Sequence, residues 1–276
     1  MPDITASMVK TLRERTGLPM MDCKKALQET GGDEQKAVDW LREQGIKTKE
    51  TRIGRETSAG RIAVYTDFAK GVGAMIELKC ESAPVAGGKD FIQFAGDVAK
   101  QLATGPGAKT AEELLKQPAP GKAGQTLAQV LDDMYNRIRE VFTLGRVARI
   151  DGPCGAYAHH DGSAGALVEV KGGNAEAAKD IAMHVVAFKP AAVSKEDLDP
   201  AAVEKEREIL TKAARSEGKP ENIIAKMIEG RLKNFFAERV LLEQPFVKDD
   251  KQTVAKVASA AKMQVVRFVR WELGKE

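Results

Sequence analysis

The sequence predicts an α+β protein: a three-helix N-terminal module, a duplicated core of two three-stranded antiparallel sheets with helices, and an antiparallel helical hairpin. The stretch Gly73–Lys79 (GAMIELK) returns as Gly165–Lys171 (GALVEVK), and both copies alternate apolar side chains with period two, as strands do. Apolar residues with helical spacing precede the first copy, follow both copies and recur in residues 196–240. Sheets followed by helices that cover them are typical of α+β architecture.

Length and composition limit the classes of protein that this chain can represent. With 276 residues and 43% hydrophobic content, it can bury a core in two or three units. A net charge of +3 and 5% aromatic residues argue against a dedicated nucleic-acid binder, which needs a basic face or stacking platforms. The three cysteines form no CxxC motif, which favours a reducing compartment over disulfides or a zinc site.

The sequence shows neither a targeting segment nor a membrane-spanning segment. Residues Met1–Thr5 do not form a basic stretch followed by an apolar one, and no apolar run approaches the ~18 residues that a spanning helix needs. We therefore expect a cytoplasmic protein with no membrane partner.

The N-terminal module is expected to occupy residues 1–46 as three short helices. Gly17 ends the first helix, Pro19 suits the first turn of the second, and Asp33 is a plausible N-cap for the third, which ends at Gly45. A charged linker then fills residues 47–59 and can be partly helical.

Two adjacent methionines, Met20 and Met21, begin the second helix of this module. Both cannot point inward, and a flexible, polarizable side chain at a helix corner can dock a partner. The alternative interpretation, that both fill the module's core, remains open.

The first core copy is expected in residues 60–151 and the second in residues 152–276. Each copy reads as a hairpin, a covering helix, a second helix and a third strand; in the first these are Arg61–Tyr65, Gly73–Lys79, Phe91–Leu102, Leu127–Phe142 and Arg146–Ile150.

The two copies differ at two insertions. The first has extra residues directly after its second strand, within Cys80–Gly88. The second carries residues 196–240, whose apolar spacing with a turn at Gly218-Lys219-Pro220 predicts the helical hairpin. A projecting hairpin adds little to a core, so we expect it to contact another molecule.

The chain resembles bacterial translation elongation factor Ts over essentially its whole length. The motifs that carry the resemblance are, in order, Val9-Lys10-Thr11-Leu12-Arg13-Glu14-Arg15-Thr16-Gly17, Met20-Met21-Asp22-Cys23-Lys24-Lys25-Ala26-Leu27, Gly32-Asp33, Ile181-Ala182-Met183-His184-Val185, Gly218-Lys219-Pro220, Glu229-Gly230-Arg231 and Gln244-Pro245-Phe246-Val247. Each motif alone is weakly specific, whereas all of them in this order are specific.

The resemblance implies a guanine-nucleotide exchange factor that binds the GDP-bound or nucleotide-free form of elongation factor Tu, a GTPase, and has no catalytic chemistry of its own. It implies that the N-terminal module is similar to a ubiquitin-associated domain. It also implies that Met20 and Met21 touch the GTPase domain of the partner, with neighbouring Leu12 as support.

The resemblance further implies an exchange element that disturbs the partner near its bound Mg²⁺ and nucleotide phosphates. The family has Thr-Asp-Phe-Val-Ala directly after the first copy's cysteine, and the aligned residues here are Ser82, Ala83, Pro84, Val85 and Ala86. The acid and the aromatic residue of the family pattern are absent. We therefore expect a rigid loop, stiffened by Pro84, that acts through its backbone rather than through an inserted ring.

An enzyme is a rival interpretation from another class. Cys154, His159 and His160 lie close in sequence, and a cysteine nucleophile with a histidine base is a known arrangement. Adjacent residues of a strand point to opposite faces, however, and no orienting acid is evident, so a structural role is favoured. His184 has no cysteine or histidine one helical turn away and is expected to pack or cap rather than bind a metal.

A second rival is a ribosome- or RNA-associated scaffold without exchange activity, suggested by the basic residues of the linker and by the hairpin. Near-neutral charge argues against it, and an association with a GTPase that is insensitive to salt would discriminate between the two. The chain has no Walker-type glycine-rich loop, so we expect no direct nucleotide binding, and we expect no cofactor and no metal.

Overall fold

The computed structural model describes residues 3–50, 55–216 and 220–275, with the backbone alone for residues 46–50 and 221–222. The fold is α+β, and the chain divides into two compact units. The first contains residues 1–61 and 76–147, and the second contains residues 62–75 and 148–276. Within the described ranges, no helix is long and apolar enough to cross a membrane.

The N-terminal residues form three helices, as expected: α1 (Ala6–Thr16), α2 (Met20–Glu29) and α3 (Glu34–Glu50). Gly17 ends α1 with a φ of 69°, which glycine adopts without strain, and the Asp33 carboxylate accepts a bond from the Lys36 amide at the start of α3. The buried side chains of the three helices form one small core: Val9, Leu12, Leu18, Cys23, Ala26, Leu27, Ala37 and Leu41.

The predicted end of the third helix at Gly45 is wrong, because α3 continues to Glu50. A side chain on Gly45 would collide with the Asn136 side chain. Gly45 is therefore a close-packing residue inside a helix rather than a helix end, and its propensity cost is outweighed by this contact. Part of the predicted linker, residues 51–54, lies outside the described residues.

The elements that follow agree with the predicted order. They are β1 (Ala59–Asp67), β2 (Val72–Cys80), α4 (Ala83–Ala86), α5 (Lys89–Thr104), α6 (Ala111–Leu115), α7 (Leu127–Ile138) and β3 (Thr143–Asp151). The strand order of this sheet is β1-β2-β3. The helix that was predicted to reach Phe142 ends at Ile138, because Arg139 adopts a left-handed conformation with a φ of 64° that caps α7.

The second unit contains a second three-stranded sheet covered by helices. Its elements are β4 (Cys154–Ala158), β5 (Ala164–Gly172), α8 (Ala175–Phe188), α9 (Pro200–Ser216), α10 (Glu221–Arg239), β6 (Pro245–Phe246), β7 (Asp249–Thr253), α11 (Val254–Ala260) and β8 (Met263–Glu272). β5 lies between β4 and β8 and pairs antiparallel with both. The apolar face of β5 packs on α8 and α11 through Ala166, Val168, Val170, Ile181, Val185, Val254 and Ala258.

Helices α9 and α10 form the predicted hairpin and pack on each other through Ala214, Ile224, Ile228 and Leu232. The predicted turn residues Gly218 and Lys219 lie outside the described residues. The short pair β6–β7 was not expected, because β6 has only two residues and β7, with the sequence DDKQT, has no apolar residue to form a periodic pattern.

Candidate functional site

The two methionines expected to dock a partner are exposed at the start of α2. Met20 is 54% and Met21 is 71% exposed, so neither fills the core of the module. Large apolar side chains left in water are candidates for an interface. Leu12, by contrast, is fully buried in that core. It can support the docking surface from beneath but presents no atoms to a partner.

The exchange loop expected at Ser82–Val85 is a single turn of helix, α4, rather than an irregular loop. Ser82 occupies the N-cap position in an extended conformation, and Pro84 lies in the first turn, where its missing amide hydrogen costs nothing. Ala83 and Pro84 are exposed, Val85 is half-buried, and Ala86 is buried. The first two residues of the turn are thus exposed to solvent, and its last residue, Ala86, is packed in the protein interior.

Both ends of this turn are tied down by hydrogen bonds from distant parts of the first unit. The Ser82 amide and hydroxyl donate to the two carboxylate oxygens of Glu140, at 3.1 Å and 2.5 Å. Glu81 accepts from the Val141 amide at 2.8 Å, and Arg61 donates to the Ala86 carbonyl at 3.4 Å. Charge-assisted bonds of this kind are stronger than neutral ones, so α4 is held rigidly.

Sequence reasoning did not find Glu140 or Glu81, although both determine how the turn is held. Glu140 is 58 residues from Ser82 in the chain. Neither glutamate belongs to a motif, and a carboxylate in a connecting segment resembles an ordinary solvated charge. Only the fold brings these residues to the turn.

The cysteine before the turn is an inert structural thiol. Burial, opposed in part by hydrogen bonding to Ser82, raises the pKa of Cys80 to about 11. Its thiol donates to the Ser82 carbonyl at 3.2 Å. A protonated thiol is a poor nucleophile, so Cys80 contributes packing and a hydrogen bond to the turn.

The rival nucleophile, Cys154, is also buried, and burial together with the Glu169 carboxylate raises its pKa to about 11. Cys154 begins β4, whereas His159 lies beyond its other end, so roughly 16 Å of extended chain separates them. His159 bonds the Asp161 carboxylate at 2.8 Å instead. The structure therefore does not assemble a cysteine–histidine pair, and the described ranges contain no cluster of three potential metal ligands among His, Cys, Asp and Glu.

His184 joins two of the motifs noted in the sequence, Ile181–Val185 and Gln244–Val247. Its ring is fully buried between α8 and the β6 segment and is hydrogen-bonded to the second motif. Its Nδ1 accepts from the Val247 amide at 3.1 Å, and its Nε2 lies 2.9 Å from Gln244 Oε1. Gln244 Nε2 donates to the Glu238 carbonyl, which fixes Oε1 as the acceptor. The ring is thus the neutral tautomer that carries its proton on Nε2. It also stacks on Phe188, with centroids 4.5 Å apart.

We expect the stability of the protein to depend on pH through His184. Burial lowers the pKa of His184 below its ordinary value of 6.5. Because the folded state favours the neutral ring, this stabilisation is complete above pH 6.5 and is lost as the pH falls from there through the lowered folded-state pKa. Protonation would also place a hydrogen on Nδ1, which could then no longer accept the hydrogen bond from the Val247 amide.

Urea unfolding between pH 7.5 and pH 5 measures this effect, and we expect a falling free energy of unfolding for the wild type and a flatter profile for His184→Gln. Equal slopes for His184→Gln and the wild type would contradict the assignment.

Comparison with known proteins provides the remaining observation. A family model described as Elongation factor TS matches residues 81–275. Elongation factor Ts of Methylococcus capsulatus is 44% identical over 274 residues, which cover 98% of this chain and 92% of the relative. Elongation factor Ts of Nitratidesulfovibrio vulgaris is 39% identical over 292 residues, covering 99% and 96%, and that of Clostridium botulinum is 41% identical over 286 residues, covering 98% and 93%.

Proposed function

Because the chain belongs to the elongation factor Ts family, a family of translation elongation factors, we propose that it binds the GDP form of elongation factor Tu and promotes exchange of GDP for GTP. The observation that carries this proposal is the rigid turn α4, whose exposed Ala83 and Pro84 stand where the family places its exchange element. The exposed pair Met20 and Met21 belongs to the same compact unit and supplies a docking surface.

Exchange of this kind follows from linkage and needs no reactive side chain. A GTPase holds GDP through backbone amides around the phosphates and through Mg²⁺. A factor that binds the nucleotide-free form more tightly weakens nucleotide binding by the same ratio, and each ~1.4 kcal/mol of coupling corresponds to tenfold. The factor therefore has to deliver a rigid element to the Mg²⁺ and phosphate side while other contacts hold the partner.

The turn α4 acts here through its backbone rather than through a wedged ring. Its outward residues are Ala83 and Pro84, neither of which has a long side chain. Its rigidity comes from Pro84 and from the Glu140 carboxylate that holds Ser82. A small, rigid protrusion of this kind would displace partner atoms near the Mg²⁺ and phosphates without changing its own conformation.

The proposal includes a duplicated core. Each of the two sheets contains a glutamate–arginine ion pair at the corresponding position. In the first sheet, Glu77 of β2 receives two bonds from Arg146 of β3, at 2.8 Å and 3.0 Å. In the second, Glu169 of β5 receives a bond from Arg267 of β8 at 2.6 Å. The two glutamates occupy the same place in the repeated strand pattern, and each arginine lies on the third strand of its own sheet. This correspondence supports a common origin of the sheets.

The proposal also treats the N-terminal helices α1 to α3 as a ubiquitin-associated-like module, which is supported by their three-helix arrangement around one small core. It keeps the cytoplasmic location expected from the sequence, because translation takes place there.

The proposal is tested by the release of a fluorescent GDP analogue from purified elongation factor Tu. We expect release to accelerate with the concentration of this chain until it saturates. No acceleration at micromolar concentrations of the chain would overturn the proposed function and would favour a scaffold without exchange activity.

A variant tests the role of the turn within that assay. Replacing Ala83-Pro84 with Gly-Gly removes the rigidity of α4, and we expect the maximal release rate to fall about tenfold, within the range typical of coupling between sites. The same dipeptide occurs at Ala119-Pro120, where Ala119 is buried, so its replacement with Gly-Gly is a control with the same chemical change outside α4 and should leave the maximal rate unchanged. An unchanged rate with the first variant would remove α4 from the mechanism.

A further inference from the structure

We infer that the connector Arg139–Val141, between α7 and β3, is a bridge that fixes the docking methionines in position relative to the exchange turn. This inference rests on the proposed function and assigns a positioning role to the residues of the connector. It follows from contacts that link the connector to α2 on one side and to α4 on the other.

The first contact joins the connector to the helix that carries the methionines. Arg139 Nη2 lies 2.6 Å from Asp22 Oδ2. Asp22 follows Met21 directly in the first turn of α2, so its position and the positions of Met20 and Met21 are determined by the same helical turn. Both members of the ion pair are about one-third exposed, so the pair is accessible to mutation without opening the core.

The second contact joins the next residue of the connector to the exchange turn. Glu140 accepts both bonds from Ser82, and the Val141 amide donates to Glu81. Consecutive residues of one backbone therefore hold α2 and α4. The two contacts are thus anchored at adjacent residues of a planar peptide backbone, and their hydrogen bonds and ion pair hold the long side chains in place.

The connector itself is immobilised at its N-terminal side. Arg139 caps α7 in a left-handed conformation, and its amide donates to the Tyr135 carbonyl at 2.7 Å. Arg137, two residues earlier, pairs with Asp90 of α5 at 3.1 Å, and its side chain lies against Gly17 at the end of α1. The bridge is thus the fixed end of a packed helix.

Fixed spacing between two docking elements increases affinity because the second contact becomes intramolecular once the first has formed. If α2 could reorient relative to α4, the partner would meet the methionines and the turn at a lower effective concentration. The bridge therefore acts on the concentration of chain needed for half-maximal exchange more than on the maximal rate.

A charge exchange tests the bridge. We expect Asp22→Arg and Arg139→Asp each to raise the half-saturating concentration for GDP release roughly two- to fivefold, the size typical of a partly exposed ion pair. The double variant that carries both changes should return to the wild-type value. Aspartate is well tolerated at the left-handed position of Arg139. Failure of the double variant to recover would overturn the inference.

A second background separates the bridge from a direct effect of Asp22 on the partner. In a chain that already carries Met20→Ala and Met21→Ala, the bridge has no docking side chains left to position. We then expect Asp22→Arg to add no further increase in the half-saturating concentration. A full additional effect would mean that Asp22 itself contacts the partner and would overturn the inference.

A measurement on the free protein separates failure of the bridge from failure of the proposed function. Spin labels on the exposed residues Gln28 and Lys89 report the distance between α2 and the start of α5, next to α4. We expect a narrow distance distribution in the wild type, a broad one in Asp22→Arg and a narrow one again in the double variant. Arg15→Gln, which breaks the Arg15–Glu34 pair within the module, is the control and should stay narrow.

The two measurements give distinguishable outcomes. A broad distribution in Asp22→Arg, combined with a wild type that does not accelerate GDP release, would leave the bridge standing as a structural element and overturn the exchange function. An accelerating wild type whose distance distribution and half-saturating concentration are both unchanged in Asp22→Arg would overturn the bridge alone.

Discussion

Replacing Met20 and Met21 together with alanine is expected to raise the concentration of this chain needed for half-maximal GDP release by about 30-fold, equivalent to ~2 kcal/mol of docking energy. The reason is that both side chains are mostly exposed in the free protein and would be covered only by the partner. Because the folded protein gains little from them, the free energy of unfolding should change by less than about 0.5 kcal/mol.

The contrast with Leu12 separates docking from folding. Leu12→Ala removes a fully buried side chain from the module core and should lower its stability by about 2–5 kcal/mol. Its effect on exchange would then follow from unfolding of α1 to α3, visible by circular dichroism, and not from a lost contact. If the methionine variant bound elongation factor Tu as the wild type does, the docking surface would have to lie elsewhere.

Gly155→Ala is expected to destabilise the second unit by about 3 kcal/mol, a large effect for one methyl group. A side chain on Gly155 would collide with the backbone of Ala178, because α8 packs directly on β4 at this point. Neither the strand nor the helix can move without disturbing the core formed by Ala166, Ile181 and Val185. Urea unfolding monitored by far-ultraviolet circular dichroism measures the loss.

The matched control is the same substitution at Gly230, in the interior of α10. Apart from its chain neighbours and the backbone of its own helix, no atom lies within 4 Å of the position that its side chain would take. Gly230→Ala should therefore stabilise the protein by ~0.5–1 kcal/mol through helix propensity alone. Two glycine-to-alanine changes of opposite sign would establish that the cost at Gly155 comes from packing. Destabilisation at both positions would contradict this interpretation.

Periodic patterns allowed most of the fold to be predicted. Apolar residues at every second position predicted β2 and β5, although both strands are buried on both faces over most of their length. Helix α5 carries Phe91, Phe94, Ala95, Val98 and Leu102 at helical spacing, all of them buried. Glycines with positive φ marked the end of α1 at Gly17 and the hairpin turns at Gly71 and Gly162. These signals are local, so they can be read without knowing the fold.

Features that depend on distant contacts could not be predicted. Gly45 looks like a helix end until its contact with Asn136 is known, and the partners of His184 lie 60 and 63 residues further along the chain. The candidate site shows the same division. Met20, Met21 and Ser82–Val85 were proposed from motifs, whereas Glu140 and Arg139, which bond Ser82 and Asp22, belong to an ordinary charged connector.

The tied ends of α4 also have a consequence for the kinetics of association. A segment that is already ordered loses little conformational entropy when it binds, so no folding step delays the encounter. Under the proposed function, association with elongation factor Tu would then proceed at ~10⁵–10⁷ M⁻¹s⁻¹, the range of pre-organised proteins, and differences between variants would appear in the lifetime of the complex. Because the turn neither folds on association nor unfolds on dissociation, one molecule of this chain could bind and release many partner molecules in succession.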